Sequence, residues 1–211
     1  MFDKVLLQPL FSTPVAVYAL QNFSNNYCDV DNYNTEEFFV NKKQTNVVNH
    51  KSKNILLEKG YEDLKQKIDI VMSNFVYEVL CFPREATLKL SCSWLTIGLP
   101  GSKTRNHYHN NSVYSGILYL KSIPEKSGDL IFSTHNSTYS TNTVRPKPTE
   151  LNLLNSTAWT IEPKTGDVVV FPSHLAHEIT ENISGENRAA IAFNYFFEGN
   201  ISEGETDSLY L

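Results

Sequence analysis

The sequence predicts a mainly β domain, a barrel or jelly roll with a few helices attached. Two observations carry this. Short strand-like runs recur at Val113–Leu120, Asp129–Ser133, Ala158–Glu162, Asp167–Phe171, Glu178–Thr180 and Arg188–Phe197, separated by the turn signals Ser127-Gly128, Thr165-Gly166 and Ser184-Gly185. The one long segment with helical period lies ahead of them, so strands and helices do not alternate as they would in a parallel βαβ sheet.

From the N-terminus, Pro9 to Leu20 is rich in Val, Phe and Tyr and predicts an early strand. Gln21 to Lys53 is polar and Asn-rich and reads as loop with short helical pieces. Tyr61, Leu64, Ile68, Val71, Phe75 and Val79 then recur every three or four residues, which predicts an amphipathic helix from about Glu58 to Leu80, stopped by Pro83. Beyond it, Leu88, Leu90, Cys92 and Trp94 fall on one face of a strand, and Pro100-Gly101 marks a turn. Thr134 to Thr157 is a polar insertion without period, long enough to suggest a functional loop. The expected organisation is a single domain over residues 1–211, with a β core at about 85–198 and a strand and amphipathic helix from 5–80 packed on the barrel.

Composition narrows the function. The chain has 211 residues, 41% of them hydrophobic, enough for a packed core rather than disorder. A formal charge of -5 argues against a nucleic-acid duplex as partner. Three cysteines with no CxxC pair argue against a disulfide framework and for a reducing compartment. The first residues lack the features of a signal peptide, and no apolar run reaches the ~20 residues of a membrane helix, so the expectation is a cytoplasmic protein.

Chemistry concentrates in Asn106-His107-Tyr108-His109-Asn110-Asn111. In a strand, residues i and i+2 point the same way, so His107 and His109 can aim both rings at one point. Taken alone the pair is equally a solvated turn. His177, in FPSHLAHEIT, is placed to supply a third ligand. Three ligands on one face with open positions opposite suit non-haem Fe(II), which holds a co-substrate and dioxygen together. His174 reads as a surface or supporting residue, and His50 and His135 as surface residues. Arg188 opens the apolar run RAAIAFNYFF, where its charge faces a large desolvation cost unless an anion pairs with it. Its planar fork suits a carboxylate, and Tyr119 can add a hydroxyl to the same group.

Together the stretches HYHNNSVYSGILYL, GDLIF, PKTGDVVVFPSHLAHEIT and ENRAAIAFN, with LFSTPV near the start, resemble the 2-oxoglutarate/Fe(II)-dependent oxygenase superfamily, and within it a branch of small proteins met in marine bacteria and their phages. The resemblance spans roughly Ser93 to Asn194. It implies a double-stranded β-helix, a cupin-like jelly roll with iron in its mouth. It implies that His107 and His109 stand at the first two ligand positions, that His177 is the distal histidine, and that Arg188, with Tyr119, binds the far carboxylate of 2-oxoglutarate. The implied activity is hydroxylase-type oxidation of a small-molecule or peptide substrate, coupled to decarboxylation of 2-oxoglutarate to succinate.

At one position the chain departs from the superfamily, which mostly has a carboxylate where His109 stands. Either His109 ligates directly, or a carboxylate such as Asp129 completes the set. A three-histidine site also suits zinc chemistry, so a cofactor-free dioxygenase, a zinc-type hydrolase and a non-catalytic jelly roll are the competing readings. Arg188 discriminates against the first two, which have no need of a buried guanidinium there, while loss of metal with no change in melting temperature on adding Fe(II) and 2-oxoglutarate would favour the third. The Asn-rich segment and the insertion are the expected substrate wall and lid, and exposed edge strands leave a homodimer open.

Overall fold

The computed structural model describes residues 12–133, 148–199 and 201. Among these, two antiparallel sheets face each other. The larger has the strand order β1-β8-β5-β10-β4-β3-β2 and the smaller β7-β6-β9. The strands are β1 (Ala16–Ala19), β2 (Phe38–Val40), β3 (Thr45–His50), β4 (Thr87–Lys103), β5 (Tyr114–Lys121), β6 (Leu130–Ser133), β7 (Ala158–Ile161), β8 (Asp167–Pro172), β9 (Ala176–Ile179) and β10 (Arg188–Glu198). The long pairing of β10 with β4 and β5 makes the spine.

Alternation along the spine sorts side chains into two layers. One face of the large sheet carries Leu118, Val168, Val170, Ile191 and Phe193, which share a cluster with Leu64, Ile68, Met72 and Phe75 of the helical segment. The opposite face carries Ile117, Tyr119, Val169, Phe171 and Ala190, which pack on Leu130 and Phe132 of the small sheet. That second layer is the interior of a jelly-roll sandwich, and the site opens into it.

Several expectations need correction. The Asn-rich segment is not only loop: it holds the β2–β3 hairpin, which pairs through β3 onto the edge of β4. Its buried Val47 and Val48 are too few among polar neighbours to announce a strand. The helix α1 runs Glu62–Ser73 and continues as a π-helical turn over Asn74–Val79. It cannot begin at Glu58 because Gly60 sits at φ 96°, in the left-handed region. The wider π turn shifts the register, so Val76 is fully buried while Val79 is 55% exposed. On β4, a bulge opposite Asn194/Tyr195 leaves Ser91 without a partner. Leu88 and Leu90 therefore pack with the helical layer, while Trp94 turns to the interior cavity. Pro100-Gly101 does not end β4, which continues to Lys103 with Gly101 at φ 75°. The early strand is confined to Ala16–Ala19, and the start of LFSTPV lies outside the described residues, as do His135 and positions 134–147 of the insertion. Among the described residues no helix is long and apolar enough to cross a membrane, and the three cysteines are free.

Candidate metal and co-substrate site

His107 and His177 meet as a backbone pair. Each N–H donates to the other's carbonyl, at 2.9 and 2.8 Å. Residues opposed in this way project to the same side of the sheet, and their ring centroids lie 4.4 Å apart. His109 joins them by donating its N–H to Ser173 O at 2.9 Å, just beyond the end of β8. Its ring lies 5.5 Å from His107 and 5.2 Å from His177. One ring nitrogen from each of the three falls within 4.8 Å of the others, and Asp129 is not part of this group.

The hydrogen bonds decide which nitrogens face inward. His107 Nδ1 donates to Arg105 O at 2.8 Å, and His177 Nδ1 to Leu175 O at 2.9 Å. His109 Nδ1 meets Asn194 Oδ1 and Ser115 Oγ, both at 2.8 Å. All three Nδ1 atoms are spent on acceptors, which leaves each Nε2 with its lone pair free, the tautomer a metal needs. Burial pulls His177 down to about 3, opposed by its bond to Leu175 and reinforced by the two neighbouring rings. Burial also lowers His109, despite its Asn194 contact. Three imidazoles, one buried and two half-buried, with their Nε2 atoms turned to one point fit a divalent cation.

Arg188 lines the same cavity as the three histidines, which holds about 90 Å³. It is only 2% exposed. Its Nη1 donates to Ser127 O at 2.7 Å, and among the described residues it makes no ion pair with an acid. Burial lowers its proton affinity, and the nearby Tyr119 is the opposing influence. Backbone packs close on two sides: a Cβ on Gly98 would lie 3.0 Å from Arg188 Nη2, and one on Gly128 2.9 Å from Nη1. Two hydroxyls in this layer, of Tyr119 and Ser102, are buried without a partner. Ser102 Oγ abuts the same face of Gly98 that the guanidinium does. A buried cation beside unpartnered hydroxyls is a receptor for an anion that the protein itself does not supply.

The sequence pointed to these residues one by one; the structure brings His107, His109, His177 and Arg188 to one cavity and leaves Asp129 out of the metal cluster. His174 is exposed. Asn194, Ser115 and Ser173 were missed. The signal for Asn194 was present, because it follows Arg188, Ala190 and Ala192 at steps of two along β10 and so shares their face. The two alanines keep the floor of the cavity open.

Fold and site together define a metal-binding jelly roll. Residues 92–194 match a family described as "Putative 2OG-Fe(II) oxygenase", and this stretch contains all the residues just discussed except the β2–β3 hairpin. The match covers 103 of the 211 residues and makes the chain similar to the 2-oxoglutarate/Fe(II) oxygenases, enzymes that work with Fe(II) and 2-oxoglutarate. None of the curated proteins matches it in sequence. Solved structures share the fold at low identity. The carbocyclase SnoK from nogalamycin biosynthesis, described as non-haem and α-ketoglutarate-dependent, is 14% identical, with a TM-score of 0.55 over 82% of this chain and 74% of its own. A 2OG-Fe(II) oxygenase family oxidoreductase from Burkholderia pseudomallei is 12% identical, with a TM-score of 0.51 over 72% and 71%. A prolyl hydroxylase from Trichoplax adhaerens, in complex with a hypoxia inducible factor peptide fragment, is 14% identical, with a TM-score of 0.51 over 77% and 71%.

Proposed function

We propose that His107, His109 and His177 hold the iron, and that Arg188, assisted by Tyr119, grips the far carboxylate of 2-oxoglutarate. The observation that carries this is the buried Arg188, without an acidic partner among the described residues, lining the same cavity as the three histidines whose Nε2 atoms are left free. Iron held there would supply, with 2-oxoglutarate and dioxygen, the power to oxidise a substrate C–H bond: dioxygen is the oxidant, one of its oxygen atoms going to the substrate and the other to succinate as 2-oxoglutarate loses carbon dioxide.

The chain's own residues supply placement. The reciprocal backbone pair of His107 and His177 fixes two rings before any ion arrives, so little ordering is left to pay on binding. Arg188 orients the co-substrate along β10, and the close backbone at Gly98 and Gly128 keeps water from its guanidinium. Phe132 and Phe171 pack against the His177 ring, at 6.1 and 4.8 Å between centroids, and exclude water behind it. With an imidazole in place of a carboxylate, the bound ion keeps one more unit of positive charge, which favours an anionic chelator on its open face. The substrate is a small molecule or a peptide, entering over the β2–β3 hairpin, and the helical segment packed on the outer layer of the large sheet is the brace that keeps the spine fixed.

Anaerobic titration with Fe(II) and 2-oxoglutarate tests the reading. The visible metal-to-ligand charge-transfer band of the chelate is expected in the native protein and not in His177→Ala, together with Fe(II)-dependent succinate formation in air. Full succinate turnover in His177→Ala would overturn it.

A further inference from the structure

One wall of the cavity is built by the β2–β3 hairpin, through Asn41, Gln44 and Asn49, with Thr104 and Trp94 beside them. The carbonyl oxygens of these amides are already engaged. Asn41 Oδ1 accepts from Lys43 N at 3.0 Å, Gln44 Oε1 from Arg105 N at 2.7 Å, and Asn49 Oδ1 from Asn41 Nδ2 at 3.4 Å. Thr104 Oγ1 accepts from Ile179 N at 2.7 Å, so its proton is left to give. The amide oxygens hold the hairpin to itself and to the Thr104–Arg105 segment, which leaves the NH₂ groups of Gln44 and Asn49 as the unspent capacity of the wall. The one formally charged side chain lining the cavity among the described residues, Arg188, is committed to the co-substrate carboxylate in the reading above, on which this inference rests.

We infer that the substrate presents an uncharged, carbonyl-rich group to this wall, with Gln44 Nε2, Asn49 Nδ2 and the Thr104 hydroxyl donating to its oxygens and the Trp94 indole covering one side. A cationic group would find there only the second lone pairs of oxygens that already accept one bond each, and an anionic one would face a lining whose single cation among the described residues is already paired, so both bear a desolvation cost that is poorly compensated. Gln44 is the specificity-determining residue, because its oxygen is tied to the backbone of the segment leading to His107 while its nitrogen is free.

The test uses ligand-observed NMR and succinate formation with the Fe(II)- and 2-oxoglutarate-loaded protein, under nitrogen for binding and in air for turnover. The probes are N-acetylglycinamide and glutarimide, with piperidine and cyclopentanecarboxylate as cationic and anionic counterparts of similar size. Saturation transfer is expected to the first two and not to the others, and which of the two is preferred separates a peptide backbone from a small cyclic carbonyl compound. Gln44→Glu keeps the acceptor for Arg105 N–H and removes both donors; it is expected to weaken carbonyl binding about tenfold. Gln44→Met, which removes the amide without adding charge, is expected to weaken it by a similar factor while 2-oxoglutarate affinity is retained. Preference for the amine or the acid, or unchanged binding in both variants, overturns the inference. Absence of succinate in every arm would instead strike at the oxygenase reading, and the binding arm would still decide the chemistry of the wall.

Discussion

Asn194 stands behind His109 as the acceptor for its ring N–H: Oδ1 lies 2.8 Å from Nδ1, while Asn194 Nδ2 points to Cys92 Sγ at 3.4 Å. Ser115 Oγ donates to the same Oδ1 at 2.7 Å and shares a 2.8 Å contact with Ser173 Oγ. The orientation of the amide is self-consistent, since the reverse would set NH₂ against the Ser115 and His109 donors. The His109 ring, which the resemblance sets where the superfamily mostly has a carboxylate, is thus backed by a neutral amide, and the Asn194–Ser115–Ser173 network adds no negative charge. Removing the acceptor in Asn194→Ala should weaken Co(II) or Ni(II) binding about 10- to 100-fold by calorimetric titration, the usual cost of losing a group that orients a ligating histidine. Asn194→Asp should instead tighten it, because a carboxylate behind the ring raises its basicity and adds the absent charge. If the residue served packing alone, both variants would bind metal more weakly.

Arg188 makes an unusual stability prediction. A buried cation with no acid paired to it among the described residues carries a desolvation cost that its bond to Ser127 O only partly offsets. Replacing it by Met, of similar length, should leave the melting temperature of the metal-free protein unchanged or raised. The same change should abolish the rise in melting temperature that 2-oxoglutarate gives in the presence of Ni(II) or Co(II), since that rise measures affinity for the folded state. Arg188→Lys should not rescue, because an ammonium cannot make two parallel bonds to a carboxylate. A large drop in the stability of the unliganded Met variant would show that the guanidinium serves the fold rather than the ligand.

Much of this site was legible in the sequence because local geometry dictated it. His107 and His109 needed only the period of a strand, and Arg188 needed only the cost of a charge in an apolar run. What was not legible depended on pairing between distant segments. The hairpin wall was hidden because β2 and β3 are short and polar and gain their order by adding to the edge of β4. The bulge at Ser91 is set by the register of the facing strand at Asn194/Tyr195, not by the neighbours of Ser91, and it decides whether Trp94 faces the helix or the cavity. The π turn after Ser73 reversed the fates of Val76 and Val79 in the same way, by one residue of phase.

Gly116 is the tightest point of the spine. A Cβ there would lie 2.3 Å from Phe193 Cζ and 3.0 Å from Val169 O, and the second of these is backbone that cannot swing away. Gly116→Ala should therefore cost about 1–3 kcal/mol by denaturant unfolding, as overpacked cores do. Shortening the ring in Phe193→Leu should partly relieve it, so the double variant should be more stable than the sum of the single effects, a positive coupling that a double-mutant cycle reads directly. Simple additivity would place the strain at Val169 O alone.

Thiol reactivity should report how firmly the N-terminal segment is held. Cys28 is half-buried beside Tyr61 and the outer layer, and burial, with Asp29 and Glu37 adding to it, pushes its thiol from 9.0 to about 11. Cys81, at φ 57° just after the π turn, is exposed. The thiolate is the reacting form, and at pH 8 a thiol held that high has about a hundredth of the thiolate of an ordinary one. With iodoacetamide at that pH, the native protein should acquire its first adduct at Cys81, with Cys28 modified at least about tenfold more slowly, and the difference should vanish in denaturant. Equal rates in the native protein would mean that the segment carrying Cys28 opens faster than it reacts, and that the packing of Tyr27, Tyr61 and Val30 around it does not hold in solution.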